Sequence, residues 1–306
     1  MVFSSNIFVF FFLPVVLAGY FLLRKRNHRN LFLTAASLGF YAWGEPAFMF
    51  VMLGSIFMNW LFGLWVDKCG RTGKSKKLPL TLMCVMNLGL LGVYKYLMFI
   101  MNNLNWAFGL HMPVPEIALP IGISFFTFQA MSYVIDVARG HGQVQKNFFN
   151  VCLYVSFFPQ LIAGPIVRYQ TVADEIEHRR ENADDFVDGV WRFLTGFAKK
   201  MLLANNLGLL VDTIYAYDAS QMSVVTMWIA AFAYQMQVYY DFSGYSDMAI
   251  GLGLMFGFHF EENFNYPYIS RSVTEFWRRW HMTLGSWFRE YVYIPLGGNR
   301  CSKGRN

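Results

Sequence analysis

The sequence predicts an all-α protein, a multi-pass transmembrane helix bundle with re-entrant helices. Of its 306 residues, 56% are hydrophobic and 14% are charged, whereas about 25% of the residues in a soluble domain are charged. The apolar residues gather in long runs, and residues 1–23 carry no charged side chain. A run of that length crosses a hydrocarbon core about 30 Å thick, so composition and patterning both indicate a membrane protein.

The N-terminal run has a rival interpretation as a secretory signal peptide. No basic residue precedes it and no small-residue cleavage site follows it, so an uncleaved helix is favoured. The net charge is +6, but the basic residues lie in loops between apolar runs and predict no nucleic-acid binding. Basic loops stay in the cytoplasm, which places the N-terminus outside. The two basic clusters are Arg24, Lys25, Arg26 and Arg29, and Lys68, Arg71, Lys74, Lys76 and Lys77.

Neither a disulfide framework nor a metal site is predicted. The four cysteines, Cys69, Cys84, Cys152 and Cys301, are scattered along the chain without a CxxC pair. The six histidines are equally dispersed, and none forms an HExxH or comparable metal signature.

Breaks in the apolar runs predict where the helices of the first half end. Residues 30–66 carry one charge, and Gly44-Glu45-Pro46 predicts a tight turn between two helices there. A further span is predicted from Pro79 to Met101, followed by an external loop over residues 102–116. The chain is expected to re-enter the membrane from Leu119 to Val134.

The second half contains a broken apolar run and a polar segment. Residues 149–167 are uncharged but contain Pro159 and Pro165. We interpret them as a bent or re-entrant helix, because irregular backbone at membrane depth must be buried in protein or line a wet cavity. The polar residues 174–188 are predicted to form a surface loop or an interfacial helix.

Three apolar stretches follow, over residues 191–210, 219–240 and 244–260. The glycines Gly253 and Gly257 do not match a nucleotide-binding loop, and we expect them to allow close helix packing instead.

Two groups of polar residues are candidates for chemistry. On a continuous helix, His281 lies one turn from Trp277 and Arg278, and such neighbours favour the neutral imidazole that can act as a base. An amphipathic interfacial helix with arginines on lipid phosphates explains the spacing equally well. Asp241 follows a long uncharged run, where a functional carboxylate and a helix end at the interface are both possible.

Five segments carry a resemblance to a known family. The chain resembles the membrane-bound O-acyltransferases, in particular the bacterial branch that includes alginate O-acetyltransferases. The resemblance implies helices around a tunnel in which an acyl thioester meets its acceptor, with His281 as a catalytic residue. The tunnel candidates it implies are Asp241, Asn265, Tyr266, Trp277 and Arg278. The matching segments are residues 120–129, 158–166, 241–250, 263–268 and 276–300.

The resemblance also implies one membrane-embedded domain over residues 1–306. The family pattern includes a second histidine in a Trp-His-Gly setting, usually regarded as the catalytic base, and no such motif occurs before Asn306. We therefore expect the sequence to be incomplete at its C-terminus. On its own it is expected to insert in membranes without transferring acyl groups.

The implied function is acetyl transfer in the bacterial inner membrane. The expected donor is acetyl-CoA, used as a substrate rather than as a bound cofactor, and the acceptor is an exported polysaccharide such as alginate. Expected partners are the lipid bilayer, a periplasmic acetyltransferase of the SGNH type and the polysaccharide export machinery. D-alanyl transfer to teichoic acid, an inactive truncated chain and a transporter remain alternatives, although a transporter should show inverted repeats.

A cysteine introduced at Lys74 tests the topology. The Lys74→Cys variant should not react with a membrane-impermeant thiol reagent added to intact cells, because its loop is predicted in the cytoplasm. The control, His111→Cys in the predicted external loop, should react. Both substitutions are made in a variant whose four native cysteines are serine. Labelling of Lys74→Cys from outside would contradict the predicted topology.

Overall fold

The computed structural model describes residues 2–218 and 222–300, and every regular element in these ranges is helical. This confirms the predicted all-α class. Cys301, and residues 219–221 at the start of one predicted apolar stretch, lie outside the described residues.

Two helical segments in the described ranges are long and apolar enough to cross a membrane, Pro46–Arg71 and Lys77–Phe108. The N-terminal apolar helix Phe8–Leu22 is shorter. The number of crossings and the re-entrant geometry stay predictions from the sequence.

Most of the helices follow one another closely along the chain, and longer irregular segments come after α5, α7 and α11. Four π-helical turns adjoin them, at Phe8–Phe12, Gly92–Tyr96, Lys199–Ala204 and Arg289–Tyr293. The α-helices are α1 (Leu13–Leu22), α2 (Arg26–Ala42), α3 (Pro46–Arg71), α4 (Lys77–Leu91), α5 (Leu97–Phe108), α6 (Ile123–Arg139), α7 (Phe148–Ser156), α8 (Tyr169–His178), α9 (Ala183–Ala198), α10 (Asn205–Tyr215), α11 (Val224–Met255), α12 (Val273–Arg279) and α13 (Met282–Phe288).

Contacts divide the chain into two compact units, one of which comprises Ala18–Ile162 and Ile166–Glu177. In this unit α3 packs against α6, and α2 packs against α7. Asn59 on α3 and Asn87 on α4 are fully buried, and each side-chain amide donates to the other's oxygen at 3.1 and 2.9 Å. Each amide thus has a hydrogen-bond partner in the other, and without that partner its burial between two apolar helices would be costly.

The predicted turn at residues 44–46 is confirmed, since α2 ends at Ala42 and α3 begins at Pro46. The predicted external loop begins later than expected. Residues 102–108 remain helical because nothing in them breaks a helix, and the helix ends where Gly109 adopts a left-handed backbone with φ of 64°.

Residues 149–167 are interrupted as predicted, but they do not form the expected bent helix. Helix α7 ends at Ser156, and the following residues form turns without a helix up to α8. This irregular segment passes close to Gly122, where a Cβ atom would lie 2.6 Å from the carbonyl oxygen of Leu161. The polar residues 174–188 are mostly helical, because α8 runs to His178 and the Asn182 side chain caps the N-terminus of α9.

The other unit comprises Met1–Leu17, Ala163–Pro165 and His178–Asn306. Its centre is the antiparallel contact of α9 with α11, made through two pairs of glycines. A Cβ on Gly189 would lie 2.6 Å from the carbonyl oxygen of Gly251, and one on Gly244 would lie 2.8 Å from that of Gly196. Only glycine permits helix backbones to approach so closely.

Two sequence predictions for this region are wrong. The stretches 219–240 and 244–260 were expected as separate spans, but α11 is continuous from Val224 to Met255 because Gly244 serves helix packing and does not break the helix. Gly253 and Gly257 do not mediate the helix contact. Gly253 instead faces the ring of Phe260, and Gly257 follows α11 with φ of 78°.

Replacing Gly196 with alanine should lower the free energy of unfolding by about 1–3 kcal/mol, because the added methyl group meets the backbone of α11. The control is Gly39→Ala in α2, where a Cβ meets nothing within 4 Å. That substitution should be neutral or stabilising by up to about 1 kcal/mol, the helix-propensity difference. Thermal unfolding of the detergent-purified variants measures both, and equal effects would contradict the close contact.

Candidate active site

A cavity of about 650 Å³ lies beside the contact of α9 with α11. Four elements line it: one face of α9 with the turn after it, the middle of α11, the irregular segment that follows α11, and the first residue of α13. The lining is polar and charged where the helices are otherwise apolar. Among its residues are Arg192, Lys199, Asp247, Glu262, Asn263 and Met282.

A charge network crosses one wall of this cavity. Both oxygens of Asp247 are engaged, Oδ1 by Arg192 at 2.7 Å and Oδ2 by Lys199 at 2.5 Å. Arg192 also binds Glu262 at 2.6 Å. The Asp247 side chain is only 8% exposed, so its charge needs these partners. The two cations and two carboxylates balance, and the network links α9 and α11 to the segment after α11.

Backbone hydrogen bonds tie that segment to the chain around His281. The N–H of Asn265 donates to the carbonyl of Arg279, and the N–H of Met282 donates to the carbonyl of Asn263, both at 2.9 Å. Among the described residues, the only non-glycine positions with positive φ are Tyr266, at 44°, and His281, at 45°. Left-handed backbone is strained for such residues, and strain of this kind gathers at functional sites.

The structure corrects the predicted surroundings of His281. Helix α12 ends at Arg279 and α13 begins at Met282, so the continuous helix expected through residues 277–281 is absent. The left-handed backbone at His281 turns its side chain away from Trp277 and Arg278. Both of those residues are exposed, Trp277 by 62%. The aromatic neighbour is Phe242 of α11 instead, whose ring lies edge-on to the imidazole with centroids 4.8 Å apart.

The imidazole of His281 is held by one strong polar contact. Its Nδ1 lies 2.9 Å from Oδ1 of Asn263, which is fully buried. Since α12 and α13 have seven residues each, His281 lies outside any membrane-spanning helix. Burial lowers the pKa of His281 to about 4, so the ring is neutral at pH 7. The neutral form agrees with expectation, although burial causes it and not a nearby cation.

The remaining sequence candidates divide into two groups. Asn265 and Tyr266 line the cavity. Asp241 does not line it: its side chain is 48% exposed and pairs with Lys200. Trp277 and Arg278 are likewise absent from its lining. The catalytic role of His281 and the tunnel roles of the other five residues stay predictions.

Sequence reasoning missed Asn263, which contacts His281 directly, and Arg192, which organises the charge network. Asn263 lies inside the matching segment 263–268, but nothing in its sequence setting distinguishes it from Asn265 two positions on. Arg192 follows Trp191 in an amphipathic helix and reads as a surface charge. Among the residues that the structure describes, no group of three or more His, Cys, Asp or Glu side chains is placed to hold a metal ion.

Comparison with known proteins gives a family and several relatives. Residues 143–306 match the family model of the membrane-bound O-acyltransferases. The chain is 46% identical to the probable alginate O-acetylase AlgI of Pseudomonas aeruginosa, over 99% of the chain and 58% of that protein. It is 35% identical to the peptidoglycan O-acetyltransferase of Helicobacter pylori, over 99% of the chain and 63% of that protein. The teichoic acid D-alanyltransferase of Bacillus subtilis is 30% identical over 60% of the chain and 47% of that protein. The chain therefore spans about three fifths of the length of the relatives that match nearly all of it.

Two aspartates on α11 allow the charge network to be tested. Asp247→Asn should lower the free energy of unfolding by about 3 kcal/mol, because it leaves Arg192 and Lys199 without their shared carboxylate. The matched control, Asp241→Asn, breaks an exposed pair and should cost less than about 1 kcal/mol. Thermal unfolding in detergent measures both values. A cost for Asp247→Asn as small as that for Asp241→Asn would contradict the structural role of the network.

Proposed function

Because the chain belongs to the membrane-bound O-acyltransferase family, we propose that it transfers an acetyl group from a cytoplasmic thioester toward an exported polysaccharide. The observation that carries this proposal is the neutral imidazole of His281 in hydrogen-bond contact with Asn263, a residue that lines the polar cavity, although His281 itself does not line it. A neutral imidazole can accept a proton or a hydrogen bond from an acceptor hydroxyl. The transfer requires such a group, because a hydroxyl is a weak nucleophile.

The proposed chemistry is acyl transfer from sulfur to oxygen. The acceptor hydroxyl attacks the thioester carbonyl and gives up its proton to a base, and the thiol leaves. Polar groups around the carbonyl stabilise the negative charge that develops on its oxygen. In this scheme His281 orients or polarises a reactant in the cavity, and Asn265 and Tyr266 contact the reactants from its wall.

Acetyl is the proposed acyl group because of the pattern of relatives. The protein named an alginate O-acetylase and the one named a peptidoglycan O-acetyltransferase match nearly the whole chain. The protein named a D-alanyltransferase matches 60% of it, at lower identity. This supports acetyl-CoA as donor and an exported polymer such as alginate as acceptor, with D-alanyl transfer as the alternative outcome.

The proposal extends to location and partners. The protein is a membrane protein by family, and we place it in the bacterial inner membrane with the N-terminus outside. The basic loops over residues 24–29 and 67–77 support this orientation. An SGNH-type periplasmic acetyltransferase and the export machinery are the proposed partners, since the acetyl group must reach a polymer outside the cytoplasm. The irregular residues 157–168 are the proposed re-entrant segment.

The proposal predicts a loss of acetylation in a His281→Ala variant made at the protein's own locus, so that the cell supplies whatever the protein needs. Acetyl content of the exported polymer should fall by about 10²-fold or more, the lower range for a positioned acid or base. The amount of protein in the membrane should not change, because His281 lies in the turn between α12 and α13 and not within a helix of the bundle.

The control is His28→Ala, which removes an exposed histidine of α2 and should leave acetylation intact. Normal acetylation by the His281→Ala variant would contradict the proposed function. Unchanged acetyl content together with loss of D-alanyl from teichoic acid would support the alternative acyl group.

A further inference from the structure

We propose that Asn263 is a positioning residue that keeps the ring proton of His281 on Nδ1, so that Nε2 accepts a hydrogen bond from the hydroxyl of the acyl acceptor. The inference deepens the proposed function and rests on it for its catalytic consequence. It assigns His281 to the acceptor side of the reaction. An imidazole with its proton on Nε2 would instead donate a hydrogen bond to the thioester carbonyl.

The first step is the orientation of the Asn263 amide. Its Oδ1 lies 3.4 Å from the backbone N–H of Thr283 and 2.9 Å from the Thr283 hydroxyl, while Nδ2 lies 2.9 Å from Oγ of Ser246. A backbone N–H can only donate, so the amide atom facing it must be the oxygen. The opposite orientation would set the amide N–H₂ against the backbone N–H. The hydrogen-bond network therefore fixes which end of the amide faces His281.

The second step is that the orientation of the Asn263 amide fixes the tautomer of His281. Because the Asn263 atom 2.9 Å from Nδ1 of His281 is an oxygen with no hydrogen, only a protonated Nδ1 completes the hydrogen bond. A neutral imidazole carries one ring proton. Nε2 therefore keeps its lone pair and can accept a hydrogen bond but cannot donate one. The bond made by one ring nitrogen thus sets the chemistry of the other.

The third step is that Asn263 is fixed well enough to impose this choice. Its side chain is fully buried, and both ends of the amide are hydrogen-bonded. Its backbone carbonyl accepts the N–H of Met282, the residue after His281. Phe242 covers the ring of the imidazole from α11. A positioning group must be locked by its own surroundings to hold a reactive side chain in one geometry.

The surrounding charges do not compete with this arrangement. Each cation near the cavity pairs with a carboxylate, so the effects of the two opposite charges on the protonation of the imidazole offset each other. Arg279 likewise pairs with Glu275 at 3.0 Å. The neutral amide of Asn263 is the group in hydrogen-bond contact with Nδ1. The charged groups on the elements around His281 are Asp241 and Asp247 on α11, Glu261 and Glu262 after it, Arg192 and Lys199 on and after α9, and Glu275, Arg278 and Arg279 on α12, and the tyrosine nearest the cavity is Tyr239 on α11.

The test is ¹⁵N NMR of the detergent-solubilised protein labelled at histidine, because protonated and unprotonated ring nitrogens resonate far apart. The His281 signals are identified as those that vanish in His281→Gln. In the unsubstituted protein at pH 7, Nδ1 should be protonated and Nε2 unprotonated. A protonated Nε2 would overturn the proposal without any need for a variant.

Two substitutions extend the test. Asn263→Leu removes the acceptor at nearly the same volume, and the proton should no longer be held on Nδ1. Asn263→Asp keeps the acceptor and adds a negative charge, so Nδ1 should stay protonated. The pH at which the ring becomes charged should then rise by about one unit or more. An unchanged midpoint in a folded Asn263→Asp variant would count against the contact.

The control for a merely structural effect is Asn87→Leu, which removes an equally buried amide elsewhere in the chain. It should lower the thermal midpoint without changing the tautomer or the protonation midpoint of His281. If Asn263→Leu fails to fold, Asn263→Asp and the unsubstituted protein still decide the question.

Acetylation by the cell separates this inference from the proposed function. Asn263→Leu at the native locus should reduce polymer acetylation, and Asn263→Asp should retain more activity and move the acid limb of its pH profile upward. A correct tautomer in a protein that transfers no acyl group would contradict the proposed function alone. Transfer at the full rate by folded Asn263→Leu would contradict the positioning role alone.

Discussion

The candidate site depends on one steric constraint, the close approach of α9 and α11. Two glycines on each helix, seven residues apart, align so that Gly189 meets Gly251 and Gly196 meets Gly244. Seven residues are about two turns, or roughly 10 Å along a helix, so the helices touch at two levels. Between and beside these levels Arg192 on α9 and Lys199 in the turn after it reach Asp247 on α11, which longer side chains at the glycine positions would prevent.

The close contact of α9 with α11 brings cationic partners to a carboxylate that is buried among apolar helices. Burial of the Asp247 carboxylate without partners would be costly, but it receives two cations from α9 and the turn after it. Arg192 then reaches Glu262, which lies next to Asn263. The charge network therefore depends on the glycine contact, and the segment that holds His281 is anchored by the charge network. A change at the helix contact would therefore affect the segment that holds His281.

Much of the architecture was predictable because it follows from local sequence. Charge-free runs predicted helices, Pro46 marked the start of α3, and the two prolines after Ser156 marked the end of α7. The close contact of α9 with α11 was not predictable, since a glycine in an apolar run does not reveal whether it breaks a helix or admits a neighbour. Asp241 was read as a possible helix end, and Gly253 and Gly257 were assigned the packing role that Gly244 and Gly251 fill.

In the site, too, the features set by local sequence were predictable and those set by distant contacts were not. A histidine among aromatics and arginines was evident from the sequence, but its neighbours were assigned by helical spacing, which fails where the backbone leaves the helix. His281 adopts a left-handed conformation, and backbone hydrogen bonds tie the residues beside it, Arg279 and Met282, to Asn265 and Asn263. No pattern within residues 276–281 announces that conformation.

The left-handed backbone at His281 also decides which residues its imidazole contacts. A continuous helix would have stacked the imidazole over Trp277 and Arg278, both exposed in the structure. The break turns it inward, to the edge of Phe242 and the amide of Asn263. Strain in the backbone costs about 1–3 kcal/mol at such a residue, and the hydrogen bonds of Asn263 and Met282 offset it. The strained backbone thus lowers the stability of the fold, and in return Nδ1 of His281 meets the buried amide of Asn263.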